Sequence, residues 1–381
     1  MTVSGSFNLA PAGAACRYRT TLGMPSTPTI QRRSYTSRPG FTLIEVMVVI
    51  SIIVVLAGIL LVALGTATDS ARRANATATL NSIRAACDSF ALDHDSYPGV
   101  LPETALGEGL RITSSQNAML HLMGGYRVYN ENTETAQKPA YDAYKQAAQD
   151  ENRPYFELTP TDSVTGVRWN LIVVPSRIGE GPLIDGKPYS PYYAPKDSEI
   201  AYNITGDNNY PSGVNEAPTI VDPWGTPILY FRQGRSVGPM VGSSSTPGMF
   251  TLDGQQLYLK ATRLGELGFS QAQSQGVGSR LAFEGTNPGG IGGGGSSSDP
   301  TDEQARWLTL LLSHPAFYDP NQPTYGTPRS SYMLMSAGKD GVYLGRYDGP
   351  VDDTGSFDFD EDNATHEDLD SFDDVVVYGG G

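Results

Sequence analysis

Apolar and polar positions fall into three regimes along the chain. Residues 41–64 are almost wholly apolar, and Glu45 is their only charge. From Asp69 to about His94 the apolar residues thin to helical intervals, with Leu80, Ile83, Cys87, Phe90 and Ala91 on one stripe and good helix formers such as Ala71, Arg72 and Ala85 between them. Pro98 stops the pattern, because it disfavours helical dihedrals at Tyr97 and cannot donate within a helix. The pattern predicts a single helix of about 50 residues ending near residue 95. Its first half, apolar all round, needs a hydrophobic environment; its amphipathic second half needs a globular partner. Cys87 sits on the predicted buried stripe as a small hydrophobe.

After Pro98 the periodicity is intermittent. A helix is predicted from Thr135 to Gln149, a buried strand at Trp169 to Val174 before Pro175, and a short strand from Ile228 to Phe231. Asp302 to Leu312 reads as an amphipathic helix with Trp307, Leu308, Leu311 and Leu312 turned inward, and two further strands are read at Tyr332 to Met335 and Val375 to Tyr378. The tract from Lys187 to Pro218, rich in Tyr, Pro, Asn and Gly, reads as packed irregular loops. Residues 234–300, rich in Gly, Ser and Gln and including the run Gly289 to Ser298, read as a mobile insertion.

The apolar stretch is long enough to matter. As a helix, Phe41 to Leu64 would span about 36 Å against a hydrocarbon core of ~30 Å. Residues 1–40 carry Arg17, Arg19, Arg32, Arg33 and Arg38 and no acid, so the positive-inside rule keeps them cytoplasmic and exports the bulk of the chain. A secretory signal peptide would have a shorter apolar core followed, not preceded, by its small residue. The pair Arg32-Arg33 lacks the rest of a twin-arginine signal. A plain membrane anchor would omit Glu45, since an acid in lipid costs about 2.5–3.5 kcal/mol on insertion scales and calls for a partner or a function.

Arg38-Pro39-Gly40-Phe41-Thr42-Leu43-Ile44-Glu45-Val46 resembles the cleavage and methylation motif of type IV pilins and type II secretion pseudopilins. The resemblance implies that a prepilin peptidase cuts between Gly40 and Phe41, that Phe41 becomes the methylated N-terminus, and that Glu45 serves filament assembly. Met24 offers an alternative start within a leader that is long for the family. The helix close Leu92-Asp93-His94-Asp95-Ser96-Tyr97-Pro98 resembles the Asp-x-x-x-Tyr-Pro ending of the spine helix in major pseudopilins. Many members carry a proline near Val62, where this chain instead has Gly58 and Gly65 nearby. Asp222-Pro223-Trp224-Gly225-Thr226-Pro227-Ile228-Leu229-Tyr230 is similar to the Asp-Pro-Trp-Gly segment of major pseudopilins. Pro223 and Gly225 set a turn there and Trp224 offers an apolar anchor, so Asp222, Pro223, Trp224, Gly225 and Tyr230 read as structural.

Charge adds a second candidate site. The chain has a formal net charge of −15, which repels nucleic acid and anionic lipid and suits cations or basic partners. Residues 348–374 hold twelve carboxylates and no Lys or Arg. Such a loop between two strands suits Ca²⁺, which takes six to eight oxygens in flexible geometry; a solvated acidic loop is the alternative. The run Asp358-x-Asp360-x-Asp362 is not an EF-hand, because Asn363 replaces its turn glycine and Leu369 its bidentate Glu. Ser336-x-Gly338-x-Asp340-Gly341 resembles the calcium-loop entry of major pseudopilins, and the resemblance makes Asp340, Asp373 and Asp374 the first candidate ligands, with Asp352 and Asp353 as inserted substitutes.

No nucleophile–base pairing or phosphate-cradling motif is present, and His94, His121, His314 and His366 are scattered and read as exposed. No enzyme is expected. The reading is an α+β, pilin-like fold: a cytoplasmic leader 1–40, a transmembrane half-helix 41–64, its soluble half 65–98, and a periplasmic or extracellular head 99–381. The head packs the helix on a small antiparallel sheet enlarged by insertions at about 99–221 and 234–330. The resemblance implies a single-pass inner-membrane subunit that joins other pilin subunits through an assembly platform into a secretion pseudopilus or related filament. The alternative is a low-copy subunit whose enlarged head binds a ligand, surface or secreted substrate.

Overall fold

The computed structural model describes residues 40–106, 112–202, 217–242, 247–251, 279–281, 302–319, 322, 325–345, 349 and 364–380. The chain divides into two units, residues 1–60 and 61–381. In chain order the main elements begin with helix α1 (Leu43–His94), helix α2 (Ser114–Met123), strand β1 (Tyr126–Asn130) and helix α3 (Glu134–Asp150). Strands β2 (Phe156–Leu158) and β3 (Trp169–Val173) follow, then four two-residue strands, β4 (Leu183–Ile184), β5 (Lys187–Pro188), β6 (Ile200–Ala201) and β7 (Thr219–Ile220). Last come β8 (Leu229–Arg232), β9 (Val241–Gly242), β10 (Phe250–Thr251), helix α4 (Asp302–Leu312), β11 (Tyr332–Ser336) and β12 (Val375–Gly379).

In the first unit the apolar side chains are exposed among the described residues: Phe41 is 86% exposed, and the large apolar residues from Leu43 to Leu60 are exposed with it. Among the described residues α1 is the one helix long and apolar enough to cross a membrane, by length and composition.

In the second unit the helix has a buried face. Ala76, Leu80, Ile83, Cys87 and Phe90 recur at helical intervals and are fully buried. They pack with Ala118, Met119 and Leu122 of α2 and with Tyr230, Tyr332, Leu334, Val375 and Val377 of a three-stranded antiparallel sheet ordered β12-β11-β8. Alternation along the strands supplies the opposite face. Leu229, Phe231, Met333 and Met335 join Trp307, Leu308, Leu311 and Leu312 of α4 in a separate cluster. The sheet is therefore covered on both faces, which explains why β11 is buried at every position. Tyr332 ties it to the helix by donating from its hydroxyl to Asp88 at 2.8 Å.

The expected single small sheet is one of several. A second antiparallel sheet, β1-β3-β2, buries Ile172 against Tyr141, Tyr144 and Ala148 of α3, while Leu171 and Val173 face Leu101, Leu106 and Leu120. The pairs β4-β5 and β6-β7 are antiparallel and β9-β10 is parallel. A buried ion pair joins Arg232 of β8 to Glu103 at 3.3 Å, and the same guanidinium donates to the carbonyls of Tyr97 and Leu101. It fixes the chain just past the end of α1. Residues 252–278 and 282–301, which hold most of the Gly- and Ser-rich insertion, lie outside the described residues.

Candidate functional site

The first candidate site is the start of α1. Thr42 precedes the first helical residue, and its backbone N–H donates to Glu45 Oε2 at 2.8 Å, while the Glu45 N–H donates to Thr42 Oγ1 at 3.3 Å. The Thr42 hydroxyl also donates to Glu45 Oε2, at 2.9 Å. This reciprocal pair is a capping box, which satisfies two otherwise orphaned amides and places the acid at the positive end of the helix dipole. The Thr-x-x-Glu spacing signals it in the sequence. Gly40 has no heavy atom within 4 Å of where a Cβ would stand. Nothing among the described residues requires glycine there.

The Asp222 loop is a staple. Asp222 is buried, and its Oδ1 accepts from the amides of Trp224 and Thr226 at 3.0 and 2.9 Å. Its Oδ2 accepts from the Ser336 hydroxyl at 2.7 Å, which ties the turn to the end of β11. Burial pushes its carboxyl above the usual range, against those three donors. Gly225 takes φ +91°, a conformation that favours glycine. Tyr230 is fully buried, and its hydroxyl donates to the Pro98 carbonyl at 3.3 Å. Tyr343 in turn donates to the Pro227 carbonyl.

The C-terminal acids are also partly committed to backbone. Asp373 Oδ2 accepts from the amides of Lys339 and Asp340 at 2.6 and 3.2 Å, and Asp374 Oδ2 accepts from Leu344 at 2.9 Å. Gly338, at φ +68°, lies so close that a Cβ would stand 2.3 Å from Asp373 Oδ1. Asp340 bonds the Val342 amide at 2.7 Å. Packing around the Asp340 carboxyl, opposed by that amide and reinforced by Asp373, pushes it up to about 7. Because the residue reaches solvent, water tempers the rise. Asp340 and Asp373 thus share one loop and repel each other, whereas Asp374 turns to Leu344. Among the described residues no group of three or more His, Cys, Asp or Glu is placed to hold a metal. Asp352 and Asp353 lie outside the described residues.

The histidines differ from the expectation. His314 is exposed, but His94 and His366 are half-buried and His121 is largely enclosed beside Phe90 and Tyr126. Each lies near aromatic rings of the head, a placement that isolated His positions in a sequence do not reveal.

Residues 36–61 match the prokaryotic N-terminal methylation motif. The match supports a type IV pilin-like protein, which implies processing by a prepilin peptidase and assembly with other pilin subunits. One apolar N-terminal helix fits a single-pass membrane anchor. No curated protein and no solved structure matches the chain significantly.

Proposed function

We propose that the chain is a structural subunit of a type II secretion pseudopilus or a related type IV pilin-like filament, with no catalytic role. The observation that carries this reading is the methylation motif at 36–61 running into an apolar half-helix whose large side chains are exposed among the described residues. In this reading the peptidase cuts after Gly40, Phe41 is methylated, and the helix waits in the inner membrane with the head in the periplasm. The assembly platform then draws it into a helical core. Glu45 would exchange its own-chain cap for a neighbour's N-terminal amine, since pairing offsets the cost of an acid among apolar helices.

Calcium belongs to the same reading. Asp340 and Asp373 offer hard oxygens whose mutual repulsion a cation relieves, and the acidic tract, including Asp352 and Asp353, would supply further oxygens. The test of the filament role is Gly40→Leu. Since a side chain at residue 40 meets nothing among the described residues, the variant should insert and fold but accumulate as full-length precursor, read by immunoblot. Normal processing of that variant would overturn the proposal.

A further inference from the structure

A cavity of about 520 Å³ opens in the second unit between α3, β1 and the β4-β5 hairpin. None of the residues discussed above as motif, staple or acidic pair lines it. Its volume falls within the range of small-molecule sites, about 300–1,000 Å³. The apolar surface comes from Val100 at one end, Tyr126 and Val128 of β1, and Leu183 and Ile184 of the hairpin. Ala136 and Ala140 of α3 are exposed and stand at the mouth.

The polar groups that meet this surface are mainly donors. His121 accepts the Gly99 N–H at Nδ1, 3.0 Å away, so its ring proton sits on Nε2. Burial pushes its pKa down to about 3, with Arg232 adding to the shift, so the ring is a neutral donor at ordinary pH. Arg127 lies with its guanidinium 4.4 Å from the centre of the Tyr144 ring and donates one N–H to the Tyr126 carbonyl. Glu180, which attracts it, is ion-paired with Arg177 at 3.1 Å. Gln137 accepts the Thr133 hydroxyl at Oε1, 2.8 Å away, which leaves its amide hydrogens to donate. Tyr141 has already given its hydroxyl to Glu157. The one acid on the lining, Asp185, is exposed at the hairpin tip.

We propose that this cavity binds a small organic carboxylate with a compact apolar or aromatic body, its carboxylate held by Arg127, the cationic residue of the lining. Apolar walls take the body of such a ligand, and an excess of donors selects its charged end. The site goes beyond the filament role and does not depend on it, because binding is read on the isolated chain whether or not it assembles.

The test uses the full chain in detergent micelles and fluorine NMR of 4-fluorobenzoate, with empty micelles as the blank. Saturable broadening that benzoate competes away, and that benzyl alcohol and benzylamine do not, is expected. Ala140→Trp, at an exposed helical position, should fill the mouth and weaken binding at least tenfold. Arg127→Gln should weaken it about tenfold by removing a charged donor, while Asp185→Asn should leave it equal or tighter. No saturable binding, equal competition by the alcohol or amine, or affinity unchanged in both the Trp and Gln variants would overturn the site.

Discussion

Helix α1 contains two apolar stretches that differ in one respect. Between Leu80 and Phe90 the stripe residues Leu80, Ile83, Cys87 and Phe90 are fully buried, because α2 and the β12-β11-β8 sheet lie against them. Between Leu43 and Leu61 side chains of the same kind are exposed, Leu43 at 78% and Leu61 at 71%. Burying one such side chain is worth roughly 1.5–3 kcal/mol. The first stretch gains that within its own chain; the second gains it from none of the described residues, and lipid or other helices would supply it. Equal hydrophobicity thus marks a core in one case and a docking surface in the other, and what separates them is whether the chain supplies the opposing face.

That contrast can be broken most sharply by truncation. Phe90→Ala should destabilise the head by about 3–5 kcal/mol through a core cavity, whereas Ile53→Ala should leave the melting of the head unchanged. Calorimetry of the two variants in the same detergent checks it, and a large loss from Ile53→Ala would mean that the apolar stretch has a partner in its own chain.

Acid reaches the buried side of the same comparison. His121 has its folded pKa depressed by burial to about 3, while the unfolded ring titrates near 6.5. The unfolded state therefore binds the proton first. Stability from this group is full above pH 6.5 and falls as pH drops toward 3, by up to about 1.4 kcal/mol per unit. Nearby Arg232 and His94 reinforce the shift. His121→Gln should flatten the dependence of melting temperature on pH in that window.

Calcium should act more weakly. Millimolar Ca²⁺ is expected to raise the melting temperature of the full chain and chelator to lower it, with most of the response lost in Asp340→Ala. An unchanged melting temperature across both conditions would leave the acidic tract a solvated loop. The smallest effect concerns Thr42→Ala, which removes the hydroxyl of the cap and should cost about 1 kcal/mol of local helix stability. If Glu45 served only as a cap, Thr42→Ala and Glu45→Val would reduce filament yield alike. A far larger loss from Glu45→Val, by counts in electron micrographs, points to a partner on another subunit.

Much of this fold was legible because strong patterns met strong punctuation. The helix ends at His94, just before Tyr97-Pro98, and Trp169–Val173, Tyr332–Ser336 and Asp302–Leu312 form where β-branched, aromatic or amphipathic runs predicted them. Helix α2 was not legible, since Ser115, Gln116 and Asn117 give it the composition of a loop. Those polar residues are buried because distant groups satisfy them: Asn117 bonds Leu101, Gln116 bonds Ala217 and Thr219, and Ser115 bonds Ile228. The two-residue strands carry too few positions for any period to show. At the site, Gly40, Phe41 and Glu45 were evident from the motif, and the capping role of Thr42 was available in its spacing to Glu45. The cavity beside Arg127 was not, because its lining comes from segments between residues 100 and 186 that only the tertiary structure brings together.

The filament reading is tested most directly by the intact mass of the protein extracted from membranes at native expression. A mature chain that begins at Phe41 and carries one added methyl group is the expected result. A chain that retains residues before Phe41, or begins elsewhere, would contradict it.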